Sequence, residues 1–177
     1  MNIKGRYKLF KSFSLHLRNS SYQQNCVNSF IPKEWQLLLL SDGSFTQTLT
    51  SLTGQQIYLD QISQYTYKLI NDLYKVRDIW LKDHKSNQLI FAKSLWLLYF
   101  SIDLPTAQPI GKSLILYQKD IYRDIHELYY GYCTYLESKF HYKGPVWGRK
   151  YTIYYNQEPL TTLQEVFAPL VINCFNE

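Results

Sequence analysis

The stretch VRDIWLKDHKSNQLIFAKSL, residues 76–95, decides the fold class. Residues 76–82 place alternate side chains on opposite faces of an extended chain, with Arg77 on the face of two large aliphatic residues. A polar turn follows at residues 83–87, and residues 88–95 are again apolar. Two extended runs joined by a short polar turn predict an antiparallel β-hairpin.

The same pattern recurs on both sides of this hairpin. Residues 57–69 are rich in Ile, Tyr and Thr, which favour strands, and residues 147–155 alternate in the same way. A turn is predicted at residues 156–159 and a last strand at 161–168. Residues 121–135 fit either a helix or an alternating strand, and both alternatives stay open.

Helical signals are fewer. Phe45, Leu49 and Leu52 recur at helical spacing, with Asp42-Gly43-Ser44 as capping residues before them and Gly54 as a C-terminal stop. Residues 112–117 are predicted as a short helix. The hairpins outnumber the helices, so we expect an α+β fold in which a mainly antiparallel sheet carries helices on one face.

The composition indicates one globular domain. Of 177 residues, 46% are hydrophobic and 19% are charged, which is too apolar for a disordered chain. The net charge of +5 suits an acidic small molecule, an anionic surface or nucleic acid. Residues 1–32 are predicted as an N-terminal arm of unknown order and 33–177 as a single domain. No apolar run approaches the roughly 20 residues of a membrane span, so no membrane span is expected.

The sequence shows no pattern typical of a metal site or of a nucleophilic cysteine. The four histidines are isolated, so no metal site is expected. The three cysteines lie far apart without a Cys-x-x-Cys pair, which favours a reducing compartment. Gly111, two residues after Pro109, lets backbone N–H groups approach a small anion.

Two charged residues on apolar strand faces are the candidate site residues. Arg77 either reaches solvent at a sheet edge or lies inside a pocket, where its planar fork suits a carboxylate. Glu165 shares a strand face with Leu163 and Phe167, where an acid is costly unless it is paired. It either forms an ion pair with a strand neighbour such as Arg149 or serves as a carboxylate of raised pKa that handles a substrate proton.

Five stretches together resemble the chorismate lyase family, and more closely its cyanobacterial and algal-plastid branch. They occur in the family's order between Pro32 and Leu170: residues 35–46 (WQLLLLSDGSFT), 76–81 (VRDIWL), 109–111 (PIG), 146–151 (VWGRKY) and 158–169 (EPLTTLQEVFAP). The resemblance implies an antiparallel sheet whose helices cover a buried ligand cavity. It also implies cleavage of chorismate into 4-hydroxybenzoate and pyruvate without a cofactor, with the product used for a quinone head group of the plastoquinone type.

The resemblance also implies the site. Arg77 matches the family's arginine that clamps the ring carboxylate, and Glu165 matches its glutamate near the ring hydroxyl. These two are the expected catalytic residues. The implied substrate-binding positions are Phe45, Ile110 and Gly111. Phe45 stands where the family often has Met, so it changes the pocket shape, and the backbone of Ile110 supports the carboxylate. Arg149 matches a motif arginine with a structural role.

Two other function classes compete with the enzyme. The implied fold is also that of effector-sensing domains in transcription regulators, but residues 1–32 are too few for a DNA-binding domain. An RNA-binding protein would expose aromatic side chains among Lys and Arg on one sheet face. We expect the enzyme, acting on the small molecule chorismate, as a monomer without a nucleic-acid partner. The expected location is the plastid stroma, or the cytoplasm of a cyanobacterium.

Overall fold

The computed structural model describes residues 10–16, 30–41, 43–69, 72–97 and 121–173. The elements in chain order are β1 (Phe10–His16), α1 (Lys33–Leu39), α2 (Phe45–Thr53), β2 (Tyr58–Leu69), β3 (Asp72–Lys82), β4 (Gln88–Leu97), β5 (Ile121–Tyr132), α3 (Thr134–Phe140), β6 (Val146–Tyr155), β7 (Glu158–Phe167) and α4 (Leu170–Asn173). None of the described helices is long and apolar enough to cross a membrane. The predicted helix at residues 112–117 lies outside the described residues.

All described strands join one antiparallel sheet in the order β1-β5-β6-β7-β4-β3-β2. Strands β2, β3 and β4 form one meander and β5, β6 and β7 form another. The two meanders meet where β4 pairs with β7, from Ile90 opposite Phe167 to Trp96 opposite Thr161. The sheet therefore brings residues that are 70 or so positions apart in sequence onto one surface.

Helices cover both faces of the sheet. On one face, α1 and α2 bury Leu39 and Leu49 in a cluster with Leu81 and Phe167. On the opposite face, α3 buries Leu136 in a second cluster with residues that include Trp80. The sequence predicts helices on one face, but α3 adds cover on the other. This helix is not predicted because its start lies within the ambiguous segment 121–135. The α+β fold with a mainly antiparallel sheet is confirmed.

The predicted helix at residue 45 and the predicted hairpin are both present. Ser44 is the N-cap of α2, and Gly54 ends the helix in the left-handed conformation at a φ of 63°. Glycine adopts this conformation without the steric cost that a Cβ would add. The turn between β3 and β4 is closed by Asp83, whose carboxylate accepts hydrogen bonds from the backbone N–H and the side-chain amide of Asn87. Asp side chains commonly accept hydrogen bonds from nearby backbone N–H groups in turns.

A bulge explains why residues 121–135 fitted two patterns. The register of β5 against β6 shifts between Ile125 and Glu127. Because an extra residue reverses the alternation of faces, Arg123 and Ile125 before the bulge share a face with Leu128 after it. The residues that share this face therefore follow neither a helical nor a strictly alternating period. The strand alternative is the correct one.

Two strand boundaries differ from the predictions. The turn predicted at residues 156–159 is shorter, because Asn156 and Gln157 both adopt positive φ, at 50° and 68°, and close a two-residue hairpin. Glu158 and Pro159 consequently belong to β7. Strand β1 lies within the segment 1–32 and pairs with β5 at one edge of the sheet.

Candidate active site

A cavity opens between the sheet and the start of α2. It holds about 480 Å³ of space free of atoms, which includes its opening to solvent. The sheet contributes residues from β3, β4, β5, β6 and β7, and the cover contributes the first residues of α2. The lining residues are Ser44, Phe45, Thr46, Arg77, Ile79, Leu81, Ala92, Ser94, Arg123, Tyr151, Leu163 and Glu165.

Arg77 lies in the wall of this cavity and not at a sheet edge. It sits in the middle of β3, opposite Gln64 of β2 and Ser94 of β4, and is only 4% exposed. Burial lowers the pKa of Arg77 below its ordinary value. A guanidinium nevertheless stays charged at neutral pH, because its ordinary pKa lies above 12. The wall therefore carries a buried positive charge.

Glu165 lies on β7, and both of its carboxylate oxygens are engaged. Arg149 Nε donates a hydrogen bond to Oε2 at 2.8 Å, and the Tyr151 hydroxyl donates to Oε1 at 2.8 Å. Glu165 is 7% exposed and Arg149 is fully buried. The ion pair with Arg149 that the sequence suggested is thus present. Arg149 is therefore a cation that directly contacts Glu165 and offsets the cost of burying its carboxylate.

Tyr151 fixes the orientation of this carboxylate. Burial, followed by the neighbouring charge of Glu165, raises the pKa of the Tyr151 phenol far above its ordinary value. The hydroxyl therefore keeps its proton and stays a donor to Glu165. Behind the strand, the Tyr129 hydroxyl donates to the backbone carbonyl of Glu165 at 3.0 Å. Both the side chain and the backbone of Glu165 are held by phenols.

Arg149 also ties the helical cover to the sheet. Its Nη1 donates to the carbonyls of Leu38 at 3.0 Å, Leu39 at 3.3 Å and Ser41 at 2.9 Å. These carbonyls lie at and just beyond the end of α1, where the helix leaves its last carbonyls without partners and its dipole favours a cation. Arg149 thereby links the position of Glu165 to that of α1.

Arg123 holds the adjoining turn from the far side of the cavity. Its Nη1 donates to the carbonyls of Gly43 at 2.8 Å and Ser41 at 3.3 Å. Its guanidinium carbon lies 4.5 Å from the centre of the Tyr151 ring, within the range of a cation–π contact. Arg123 is half-buried. Arg77 on β3 and Arg123 on β5 therefore place cations on both sides of Glu165 on β7.

Phe45 is the first residue of α2, and it packs against the sheet. It is 4% exposed, and its ring centre lies 5.1 Å from that of Phe167. Together with Ser44 and Thr46 it places the N-terminus of α2 at the cavity. The partial positive charge of a helix N-terminus adds to the arginines and favours an anionic ligand.

The structure brings together Arg77, Glu165 and Phe45, which the sequence analysis named. Ile110 and Gly111 lie outside the described residues. Sequence reasoning missed Arg123 and Tyr151. Tyr151 could have been found, because it shares the alternating face of its strand with Arg149, whereas the bulge in β5 concealed Arg123. Within the described ranges, no three His, Cys, Asp or Glu side chains are grouped as metal ligands.

Related proteins match most of the chain. A model of the chorismate pyruvate-lyase Rv2949c-like family matches residues 39–175. Uncharacterized protein ycf21 of Antithamnion sp. is 34% identical over 174 residues, which are 96% of this chain and 95% of that protein. Uncharacterized protein ycf21 of Pyropia yezoensis is 38% identical over 151 residues, 82% of this chain and 87% of the relative.

Solved structures share the fold at low sequence identity. Gene product SA0254 from Staphylococcus aureus superposes with a TM-score of 0.57 at 11% identity, over 72% of this chain and 89% of that one. The effector domain of PhnF from Mycobacterium smegmatis superposes with a TM-score of 0.56 at 5% identity and the same coverage. These likenesses concern the fold alone. The family model and the algal relatives span most of the sequence, and the chain belongs to the chorismate pyruvate-lyase Rv2949c-like family.

Proposed function

We propose that the protein is a chorismate pyruvate-lyase, which converts chorismate into 4-hydroxybenzoate and pyruvate. One observation carries the proposal: a buried arginine, Arg77, and a buried, oriented carboxylate, Glu165, line the same cavity. Membership of the family supports it. The arginine suits the ring carboxylate of the substrate, and the carboxylate suits the hydroxyl at the opposite end of the ring.

The reaction breaks the ether bond between ring C3 and the enolpyruvyl oxygen and removes the proton from ring C4. The ring becomes aromatic and keeps its C4 hydroxyl, while the departing enolpyruvate gains a proton and becomes pyruvate. Aromatisation supplies the driving force, so the protein's task is to orient the substrate and exclude water. No electron acceptor is needed, because no net oxidation occurs.

In this proposal Arg77 holds the ring carboxylate in a bidentate contact, and Glu165 lies at the C4 hydroxyl. The two donors to Glu165, Arg149 and Tyr151, keep its oxygens fixed before substrate arrives. Such preorganisation avoids reorientation during the reaction. The C4 proton is removed either by Glu165 or within the substrate, by transfer to the enolpyruvyl group.

The test is direct. Purified protein is incubated with chorismate, and 4-hydroxybenzoate and pyruvate are quantified against a no-enzyme control. We expect the two products in a 1:1 ratio at a rate well above the spontaneous one. The Arg77→Ala variant serves as the matched control, in which product formation should be strongly reduced. Absence of product at high enzyme concentration would overturn the proposal.

Ligand binding without turnover is the second candidate function. The likeness to the effector domain of PhnF favours it, because that fold also occurs outside enzymes. It predicts that calorimetry detects chorismate or 4-hydroxybenzoate binding while the product assay stays blank. The two measurements on one preparation therefore separate a lyase from a binding module.

We further propose a monomer of the plastid stroma whose product feeds plastoquinone-type head-group synthesis. The relatives from Antithamnion, Pyropia, Porphyra and Cyanophora support a plastid location. For a plastid-encoded gene, residues 1–32 remain on the mature protein, with 33–177 as the domain that carries the cavity. An intact mass of the native protein that places its N-terminus near residue 30 would contradict this.

A further inference from the structure

The cavity contains a second cation, Arg123, to which the proposed reaction assigns no role. Among the described lining residues, the cations are Arg77 on β3 and Arg123 on β5. Glu165 on β7 lies between them, because the sheet order across the cavity is β3-β4-β7-β6-β5. Four strand spacings of about 4.8 Å separate the two backbones, roughly 19 Å in all. Both arginine side chains are long and line the same cavity, so their guanidinium groups are closer together than the two backbones. A small ligand can therefore reach both groups.

Arg123 keeps donors available for a ligand. Its contacts with protein carbonyls, those of Ser41 and Gly43, use Nη1 alone. Its Nε is buried and has no hydrogen-bond partner in the described part of the chain. A guanidinium carries five N–H donors, and the edge formed by Nε and the second terminal nitrogen can grip a carboxylate with two parallel hydrogen bonds. The guanidinium carbon lies 4.5 Å from the centre of the Tyr151 ring, and this contact helps to hold the guanidinium in the cavity.

The order of charges along the cavity matches the order of groups in chorismate. The ring carboxylate lies at one end, the C4 hydroxyl at the other, and the enolpyruvyl ether is attached at C3, next to the hydroxyl. If Arg77 holds the ring carboxylate and Glu165 the hydroxyl, the enolpyruvyl carboxylate extends beyond Glu165, toward Arg123. A cation there neutralises the second charge of the dianion.

We propose that Arg123 binds the enolpyruvyl carboxylate of chorismate, so that the cavity selects a dicarboxylate over its monocarboxylate product. This inference rests on the proposed lyase function. It gives Arg123 a role in specificity, because 4-hydroxybenzoate retains only the carboxylate that faces Arg77. The cleaved product therefore loses one of the two ionic contacts that held the substrate, which favours its release.

The test compares substrate with product in the Arg123→Gln variant. Gln keeps an N–H donor for the Gly43 carbonyl but removes the charge and the two-donor edge. We expect the KM for chorismate to rise about tenfold or more, while the inhibition constant of 4-hydroxybenzoate changes less than twofold. The matched variant Arg77→Gln should weaken both ligands. Thermal unfolding of Arg123→Gln within a few degrees of the wild type shows that the cover remains in place.

Equal effects of Arg123→Gln on chorismate and 4-hydroxybenzoate, or no effect on either, would overturn the inference. Its failure can be told from failure of the lyase proposal. If the wild type binds chorismate without cleaving it, calorimetry with both ligands gives the same comparison of dissociation constants. If the wild type binds neither ligand, the lyase function and the role of Arg123 are both wrong.

Discussion

Arg149 and Glu165 form a buried ion pair across neighbouring strands, with 2.8 Å between Nε and Oε2. Nη1 of Arg149 donates hydrogen bonds to backbone carbonyls at and just beyond the end of α1. One side chain thus sets both the carboxylate in the cavity and the helix that covers it. Any change at Arg149 is consequently expected to affect stability and ligand binding together.

Replacing Arg149 by Met should lower the free energy of unfolding by about 3–5 kcal/mol, because it leaves the buried Glu165 carboxylate without its cation. Urea unfolding measures the change. The double variant Arg149→Met/Glu165→Gln should recover part of the loss, since the uncompensated charge is then gone. A single variant within 1 kcal/mol of the wild type would show that the pair does not stabilise the fold.

Replacing Glu165 by Gln preserves the shape of the side chain but removes its charge and its ability to accept a proton. If Glu165 removes the C4 proton, kcat should fall by about 100-fold or more. If the proton transfer occurs within the substrate and Glu165 only orients the hydroxyl, the loss should be about tenfold. Steady-state kinetics distinguish the two. If this variant has the kcat and KM of the wild type, Glu165 is not a site residue.

Replacing Arg77 by Ala should reduce kcat/KM for chorismate on the order of 30- to 1000-fold, roughly 2–4 kcal/mol, because a charge-assisted bidentate contact is lost. Lys82→Ala is the control. It removes another cation from β3, one that pairs with Asp60 at the surface and does not line the cavity. Its kcat/KM should match the wild type. Equal losses in the two variants would argue for a general charge effect.

Replacing Gly148 by Ala should disturb the support behind Glu165. A Cβ at this position would lie 2.4 Å from the Tyr129 ring and 2.6 Å from the carbonyl oxygen of Glu165. Overpacking of this kind costs about 1–3 kcal/mol. Gly43→Ala is the control, because the nearest atom to its new Cβ is 3.8 Å away, on Ser41. Chemical unfolding of both variants checks the difference, and equal stabilities would refute the crowding.

Stability should fall as the pH rises above about 10. The pKa of Tyr151 is raised in the folded state, chiefly by burial, so the folded protein retains a proton that the unfolded chain loses above its ordinary pKa of about 10. The contribution of Tyr151 to the free energy of unfolding is complete below pH 10. It declines above that pH, by up to about 1.4 kcal/mol per pH unit for one group. Tyr151→Phe should reduce that slope. An unchanged slope between pH 10 and 11 would contradict the assignment.

The local features of the fold could be read from the sequence. The cap at Ser44, the left-handed Gly54 and the alternation that turns Arg77 inward all depend on neighbouring residues. The order of the strands could not be read in the same way, because the pairing of β4 with β7 joins distant parts of the chain. The bulge in β5 hid Arg123, since a single extra residue reverses the period that a sequence pattern relies on.

Within the site, the sequence suggested which charged residues turn inward but not what they contact. Glu165 was expected either to pair with Arg149 or to act on a substrate proton. The structure shows that the first does not exclude the second, because its other oxygen is held by Tyr151. The face that Tyr151 shares with Arg149 on its strand could have indicated that phenol, but composition could not, because the chain has 17 tyrosines.

The junction of the two meanders has a consequence for how the protein acquires its activity. Arg77 belongs to one meander, and Glu165 to the other. Each meander can assemble from local hairpins, but the cavity forms only after β4 has paired with β7. Such non-local pairing is the slow part of folding. A ligand held by Arg77 and Glu165 would stabilise that junction, by a free energy that grows with the logarithm of the ligand concentration relative to its Kd.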